Sequence, residues 1–231
     1  MRSHKIISFL LSALAVNLFA SEWVDLGVSR PTEPVWNVNV ISDNNIEISF
    51  QLQGYDLETL QSENNRISFP GGVPILNEGA PNLPRMARSI IIPDLAHMEL
   101  SVTETEYVDM QISDVESSKG NLTRDVDPAT IPYTYGKVYE LDEFYPENIV
   151  FLREPYILRS LRGQTVVFQP IQYNPVQRTL RVYTQINISI QQNGISQINP
   201  LTQRPPHIGS REFEHMYKDH FINYPEDERY D

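Results

Sequence analysis

Thr179-Leu180-Arg181-Val182-Tyr183-Thr184-Gln185-Ile186-Asn187-Ile188-Ser189-Ile190 alternates without a break. Leu180, Val182, Thr184, Ile186, Ile188 and Ile190 fall on one side, and Arg181, Tyr183, Gln185, Asn187 and Ser189 on the other. A two-residue period of this length is a β-strand with one face in a core. Gln164–Gln172 precedes it across Tyr173-Asn174-Pro175-Val176-Gln177-Arg178, and the two are read as a hairpin. Upstream, Val35–Ser42 and Ile46–Leu52 form a second hairpin around Asp43-Asn44-Asn45. Ser89–Pro93, Met98–Thr103 and Glu106–Ile112 are further strands, broken by Pro93-Asp94. The expected fold is all-β, an antiparallel β-sandwich of jelly-roll-like type.

Between these strands lie two segments of different character. Pro70–Pro84 is too rich in proline and glycine for a regular element and is read as an ordered surface loop. Ser113–Pro132 carries turn chemistry at Ser117-Ser118-Lys119-Gly120-Asn121, with Asp125, Asp127, Pro128 and Pro132 interrupting any ladder. It is read as a long exposed loop, a common place for binding residues on a rigid scaffold. Gln191–Gly209 is a linker by composition. Ser210 then caps an amphipathic helix over Phe213–Ile222, with Phe213, Met216, Tyr217, His220 and Phe221 on one stripe and Pro225 after its end. The acidic tail 225–231 has nothing to bury.

Residues 1–20 have the layout of a secretory signal peptide, with Arg2, His4 and Lys5 ahead of an apolar run. Ala20 is the preferred cleavage point over Ala13-Leu14-Ala15, and the run is too short to be a membrane span. Without Arg2 and Lys5 the remaining chain holds 16 basic and 30 acidic residues, a balance of −14. That charge disfavours nucleic acid and anionic membranes and suits a basic protein surface. The chain has no cysteine, so no disulfide framework, thiolate nucleophile or Cys-based metal site belongs to it.

Motifs for catalysis are missing as well: there is no G-x-S-x-G elbow, Walker loop or dinucleotide fingerprint. His215 and His220 are five apart and do not share a helix face as zinc ligands would. The acidic pairs Asp125 with Asp127 and Asp142 with Glu143 lack calcium-loop spacing. Asn121-Leu122-Thr123 and Asn187-Ile188-Ser189 match the glycosylation sequon. Arg124, beside Asp125 and Asp127, reads on its own as a surface arginine paired with its neighbours. No catalytic residue, cofactor or metal site is assigned.

Several strings in order carry a resemblance. They are Gly79-Ala80-Pro81-Asn82-Leu83-Pro84 with Arg88-Ser89, Ser118-Lys119-Gly120, Ile131-Pro132-Tyr133-Thr134-Tyr135-Gly136, Phe144-Tyr145-Pro146, and Glu154-Pro155-Tyr156-Ile157-Leu158-Arg159 with Arg162-Gly163-Gln164. Gln172-Tyr173-Asn174-Pro175-Val176 and Thr179-Leu180-Arg181-Val182-Tyr183-Thr184 complete the set. From about Glu78 to Tyr224 the chain resembles the N-terminal prodomain of gingipain-type cysteine proteases, peptidase family C25, in particular the arginine-specific branch.

The resemblance implies a prodomain over 21–224 that assists folding of a C25 catalytic domain and holds it latent, as an inhibitor and intramolecular chaperone. It implies that Arg124, with Asp125 beside it, forms the inhibitory loop and that Arg124 enters the specificity pocket. It places the family's catalytic Cys and His in a domain that would follow, and a processing junction over 225–231 with cleavage between Arg229 and Tyr230. The expected state is a secreted monomer, without stable membrane insertion, whose partner is the cognate protease. A free-standing secreted β-sandwich that binds another ligand, and an unrecognised hydrolase, are the competing readings.

Overall fold

A computed structural model describes residues 21–203 and 211–225. The expected signal peptide, the Ser210 cap and the Arg229–Tyr230 junction lie outside the described residues. Thirteen strands and one helix follow in order: β1 (Glu22–Asp25), β2 (Val35–Ser42), β3 (Asn45–Gln51), β4 (Gly54–Thr59), β5 (Asn65–Ser68), β6 (Val73–Pro74), β7 (Pro84–Ile91), β8 (Ala96–Gln111), β9 (Val150–Leu152), β10 (Tyr156–Leu158), β11 (Leu161–Phe168), β12 (Ile171–Asn174), β13 (Thr179–Ile195) and α1 (Arg211–His220).

The strand that decides the fold is the hub of its sheet. β13 pairs along its length with β8 on one side, and on the other with β12 and then with β3, which carries β2. A second five-stranded sheet is built on β11, flanked by β7 on one side and by β10 and β9 on the other. β1, β4 and β5 make a third, three-stranded sheet. All strand pairings are antiparallel. Phe168 of β11 stacks on Phe50 of β3 at 4.9 Å and meets Trp36 of β2 edge-on at 4.9 Å, which joins the two large sheets through one core. The all-β antiparallel sandwich is therefore the fold.

Three expectations change in detail. Gln164–Gln172 is not one strand: the chain leaves the second sheet after Phe168 and joins the first at Ile171. Pro170 has no N–H for a ladder, and its carbonyl accepts from the Tyr183 amide at 2.8 Å at the crossing. The hairpin is thus limited to β12 and the start of β13. The two strands expected over Met98–Thr103 and Glu106–Ile112 are one, β8, whose extra residue is absorbed as a bulge opposite Asn187 and Ile188. The linker begins later than its composition implies, because β13 runs on to Ile195.

Arg162 fixes the corner where this linker crosses the second sheet. Its side chain is fully buried, and among the described residues no carboxylate is hydrogen-bonded to it. Instead it donates to the carbonyls of Asn199 at 2.8 Å, Pro93 at 2.9 Å, Ala96 at 2.7 Å and Ile198 at 3.0 Å. Burial pushes the guanidinium down from its ordinary value. α1 docks on the same sheet by burying Tyr217, and beyond it Phe221 is buried and bridges Ser89. Asn223 closes that edge by exchanging two hydrogen bonds with the Ile91 backbone.

Replacing Arg162 with Met keeps the stem and strips all four carbonyls of their donor. The expected loss is about 3–5 kcal/mol, as for a buried polar network missing one member. Urea unfolding of the parent and of Arg162→Met, compared at equal slope, measures it.

Candidate functional site

The Ser113–Pro132 segment is only partly the exposed loop expected of it. Its first residues return to the third sheet: Val115 bridges Asn65 of β5 in parallel, and the Glu116 amide donates to the Asn65 carbonyl at 2.9 Å. Val115, Glu116, Ser117 and Ser118 are buried. Lys119 and Gly120 are half-buried, and the exposed part begins at Asn121.

Glu116 carries a charge into this buried position, and four hydrogen bonds receive it. Arg66 of β5 grips the carboxylate with two nitrogens, Nε to Oε1 at 2.6 Å and Nη2 to Oε2 at 3.1 Å. Asn82 donates to Oε1 at 3.1 Å and the Tyr133 hydroxyl to Oε2 at 2.7 Å. Burial alone would push this carboxyl up, but the bonds from Arg66, Tyr133 and Asn82 outweigh it and hold the group below its ordinary value. The same bond raises the Arg66 guanidinium, so both partners favour their charged forms.

Gly79 closes the base of the loop. Its amide donates to the Ser118 carbonyl at 2.9 Å on the outgoing arm, and its own carbonyl accepts from Gly136 at 2.8 Å on the returning arm. Gly79 has φ of +78°, and a Cβ there would stand 3.2 Å from the Gly136 nitrogen. Only glycine fits between the two arms without displacing one of them.

Above this base the loop is braced across its width. Lys119 Nζ sits 4.2 Å from the centre of the Tyr133 ring and donates to the Pro128 carbonyl at 2.7 Å. Asp127 caps the short 3-10 turn Pro128–Thr130 by accepting from the Ala129 amide at 2.9 Å. The Val126 amide donates to the Thr123 carbonyl at 3.1 Å, which makes Thr123–Val126 a β-turn with Arg124 and Asp125 as its central residues. Leu122 and Val126 on either side are half-buried.

Arg124 and Asp125 are exposed at the tip. The reading of Arg124 as paired with its neighbours does not hold. Asp127 is turned to the backbone of its own cap, and a hydrogen bond from the Thr123 hydroxyl, foremost, holds the Asp125 carboxyl below its ordinary value. Among the described residues no hydrogen bond or ion pair engages the Arg124 guanidinium. Other arginines are differently placed: Arg162 is buried, and Arg178 pairs with Asp114 at 3.3 Å.

Other candidate residues are tied into the fold. His220 lies 2.6 Å from the Tyr156 hydroxyl, and His215 faces Asp219 at 3.5 Å. Asp142 accepts from Asn174 at 2.9 Å and from Gln177 at 2.8 Å. Among the described residues no group of three metal-ligating side chains comes together, and no helix is long and apolar enough to cross a membrane. The residues not foreseen are Glu116, Arg66 and Asn82, together with the bracing by Lys119.

The family model Propeptide_C25 matches residues 36–229. The chain belongs to the C25 propeptide family. Among curated proteins it is 35% identical over 181 residues to Gingipain R1 of Porphyromonas gingivalis, covering 77% of this chain and 18% of that protein. To Gingipain R2 of the same species it is 36% identical over 175 residues, 75% of this chain and 23% of the other. Identity to a Lys-gingipain is lower, 24% over 203 residues, 84% of this chain and 12% of the other. The likeness thus runs more strongly to the R-type branch. The chain spans less than a quarter of the length of these relatives, and what it matches is the non-catalytic propeptide of a C25 protease precursor.

Two solved structures share the fold. A chain from the complex of P. gingivalis RgpB pro- and mature domains aligns with TM-score 0.71 at 31% identity, covering 84% of this C25 propeptide and 99% of that chain. A chain from a structure on the zymogenic latency of gingipain K aligns with TM-score 0.64 at 18% identity, covering 76% and 100%, a likeness of fold alone.

The Glu116 carboxyl titrates lower in the fold than in the unfolded chain. Its contribution is therefore complete above the ordinary carboxylate value of about 4.3 and is lost as pH falls through the lower folded value. Glu116→Gln should cost about 2–3 kcal/mol at neutral pH, less than a fully buried pair because the Arg66 side chain is 43% exposed. Urea unfolding at a series of pH values should show the gap between parent and variant closing on acidification below about pH 4.

Proposed function

We propose that this propeptide keeps a C25 cysteine protease latent by seating Arg124 in the protease's specificity pocket. The observation that carries the reading is an arginine with no partner among the described residues, at the tip of a turn whose two arms are tied to a buried carboxylate and to Gly79. An inhibitor needs such an arrangement, because a side chain held ready loses less freedom on binding than one on a mobile loop. A guanidinium entering an acidic pocket adds a planar, two-pronged charge-assisted contact. The likeness to a chain from a complex of pro- and mature domains supports a protease partner.

The remaining parts of the role follow the same reading. Residues 1–20 act as a secretory signal and 21–224 as the prodomain, which also assists folding of the catalytic domain. Residues 225–231 form the processing junction, cut between Arg229 and Tyr230 by the same arginine preference. The acidic surface speeds encounter with a basic protease face. The domain acts as a secreted monomer until it meets its protease.

Arg124→Ala should weaken inhibition of an arginine-specific C25 protease by roughly 30-fold to a few thousandfold, the cost of removing one member of a buried charge pair. Arg124→Lys should recover part of it, since the charge remains and the fork is lost. Arg178→Ala is the control, and a circular-dichroism melt should place both tip variants with the parent. Inhibition constants from progress curves decide it: an Arg124→Ala chain as potent as its parent contradicts the reading.

A further inference from the structure

Between the foot of the loop and the proline-rich segment lies a hollow of about 300 Å³. Pro74 and Leu76 line it from the proline-rich segment, Ser117, Lys119 and Leu122 from the outgoing arm, and Pro128 from beyond the tip. Its volume is at the lower end of the range for small-molecule sites. At about 30 Å³ for each water-sized group, it has room for about ten non-hydrogen atoms.

The polar part of this lining is short of acceptors. Glu116 belongs to it, but each of its oxygens already takes two hydrogen bonds, Oε1 from Arg66 and Asn82 and Oε2 from Arg66 and Tyr133. Four bonds occupy the lone-pair positions of a carboxylate. Donors remain. Ser117 is 1% exposed, and its hydroxyl has no hydrogen-bond partner among the described residues. Lys119 has three N–H groups, and the Pro128 carbonyl takes one of them. Arg66 is held by Glu116 and by Glu58 at 3.2 Å, so Lys119 supplies the cation. The rest of the wall is apolar, and Leu76 on it is 46% exposed.

We propose that this hollow binds a small monocarboxylate with an apolar body. The carboxylate accepts from Lys119 and from the Ser117 hydroxyl, and the body lies against Pro74, Leu76 and Leu122. A cation would find the Glu116 lone pairs taken. A neutral apolar molecule would leave the Ser117 donor without an acceptor, which is costly in a buried place.

The site does not depend on where Arg124 docks. Its walls belong to the loop and to the body below, so the occupant is released when the loop lifts away. Ligand at ten times its dissociation constant therefore makes lifting about elevenfold rarer. The Gly136 amide reports on that motion, because it is bonded to Gly79 at the foot of the returning arm.

The test titrates phenylacetate into the unbound protein and follows amide NMR shifts and amide exchange. Shifts should concentrate at Leu76, Ser117, Lys119 and Ala129 and saturate with one dissociation constant. Phenylacetamide, of the same shape without the charge, and acetate, without the ring, should each bind about tenfold more weakly or worse, the worth of one charge-assisted hydrogen bond or of the buried ring. Exchange at Gly136 should slow about tenfold. Lys119→Met should remove the preference for phenylacetate over phenylacetamide, and Lys119→Arg should keep it. Leu76→Ser should weaken phenylacetate about 3- to 10-fold from the opposite wall. Amide shifts away from the hollow check that each variant is folded. Phenylacetamide binding as well as phenylacetate, a preference that survives in Lys119→Met, or binding that leaves Gly136 exchange unchanged overturns the proposal. Shifts that scatter along the chain without saturating also overturn it and leave the hollow to water.

Discussion

A carboxylate placed out of water must be met by donors or it will not stay charged, and in this propeptide that group is Glu116. Its four hydrogen bonds come from three separate parts of the chain: Arg66 on β5, Asn82 in the proline-rich segment and Tyr133 on the returning arm of the loop. Meeting the charge therefore brings those parts together. The Glu116 backbone repeats the lesson, since its amide bonds Asn65 and its carbonyl accepts from Asn82. The loop that carries Arg124 grows out of this point and comes back to it. Its shape is a consequence of charge compensation in the body below.

Two charges are buried among the described residues, and they serve different ends. Arg162 is solvated by four carbonyls and closes the corner between β7, β8 and the segment that follows β13. Glu116 uses a formal ion pair and neutral donors, and one of those donors, Tyr133, passes the restraint on: its ring supports Lys119, which reaches Pro128 across the loop. A path of contacts thus runs from the half-buried Arg66 to the backbone beside the tip. Arg124 itself takes no part in it.

The strand alternation of residues 179–190 was enough to predict the sheet, because a two-residue period has one structural meaning. It was not enough to predict the partners of that strand, since pairing is decided across the molecule. Gln164–Gln172 looked continuous, and only the crossing at Pro170 shows that it serves two sheets. The loop was visible in its turn residues and prolines, and the ordered strings of the family resemblance put Arg124 on it. Glu116 was not visible: its main partner lies fifty residues away, and an acidic residue before Ser117-Ser118 has the same appearance whether buried or solvated. Asp125 and Asp127 misled in the opposite sense, because short acidic side chains beside an arginine suggest pairing, yet Asp127 accepts from the Ala129 amide and the Thr123 hydroxyl is the foremost influence on Asp125.

The central claim is that the loop is already shaped before any protease arrives. Amide hydrogen exchange on the unbound protein reads this directly at Val126, Thr130 and Ile131, whose N–H groups are all bonded within the loop. Slow exchange at these three amides, lost together when Glu116 is replaced by Gln, is the result the account predicts. Exchange at the rate of an unstructured peptide in the unbound parent would contradict it, and would mean that the loop takes its shape only on the enzyme.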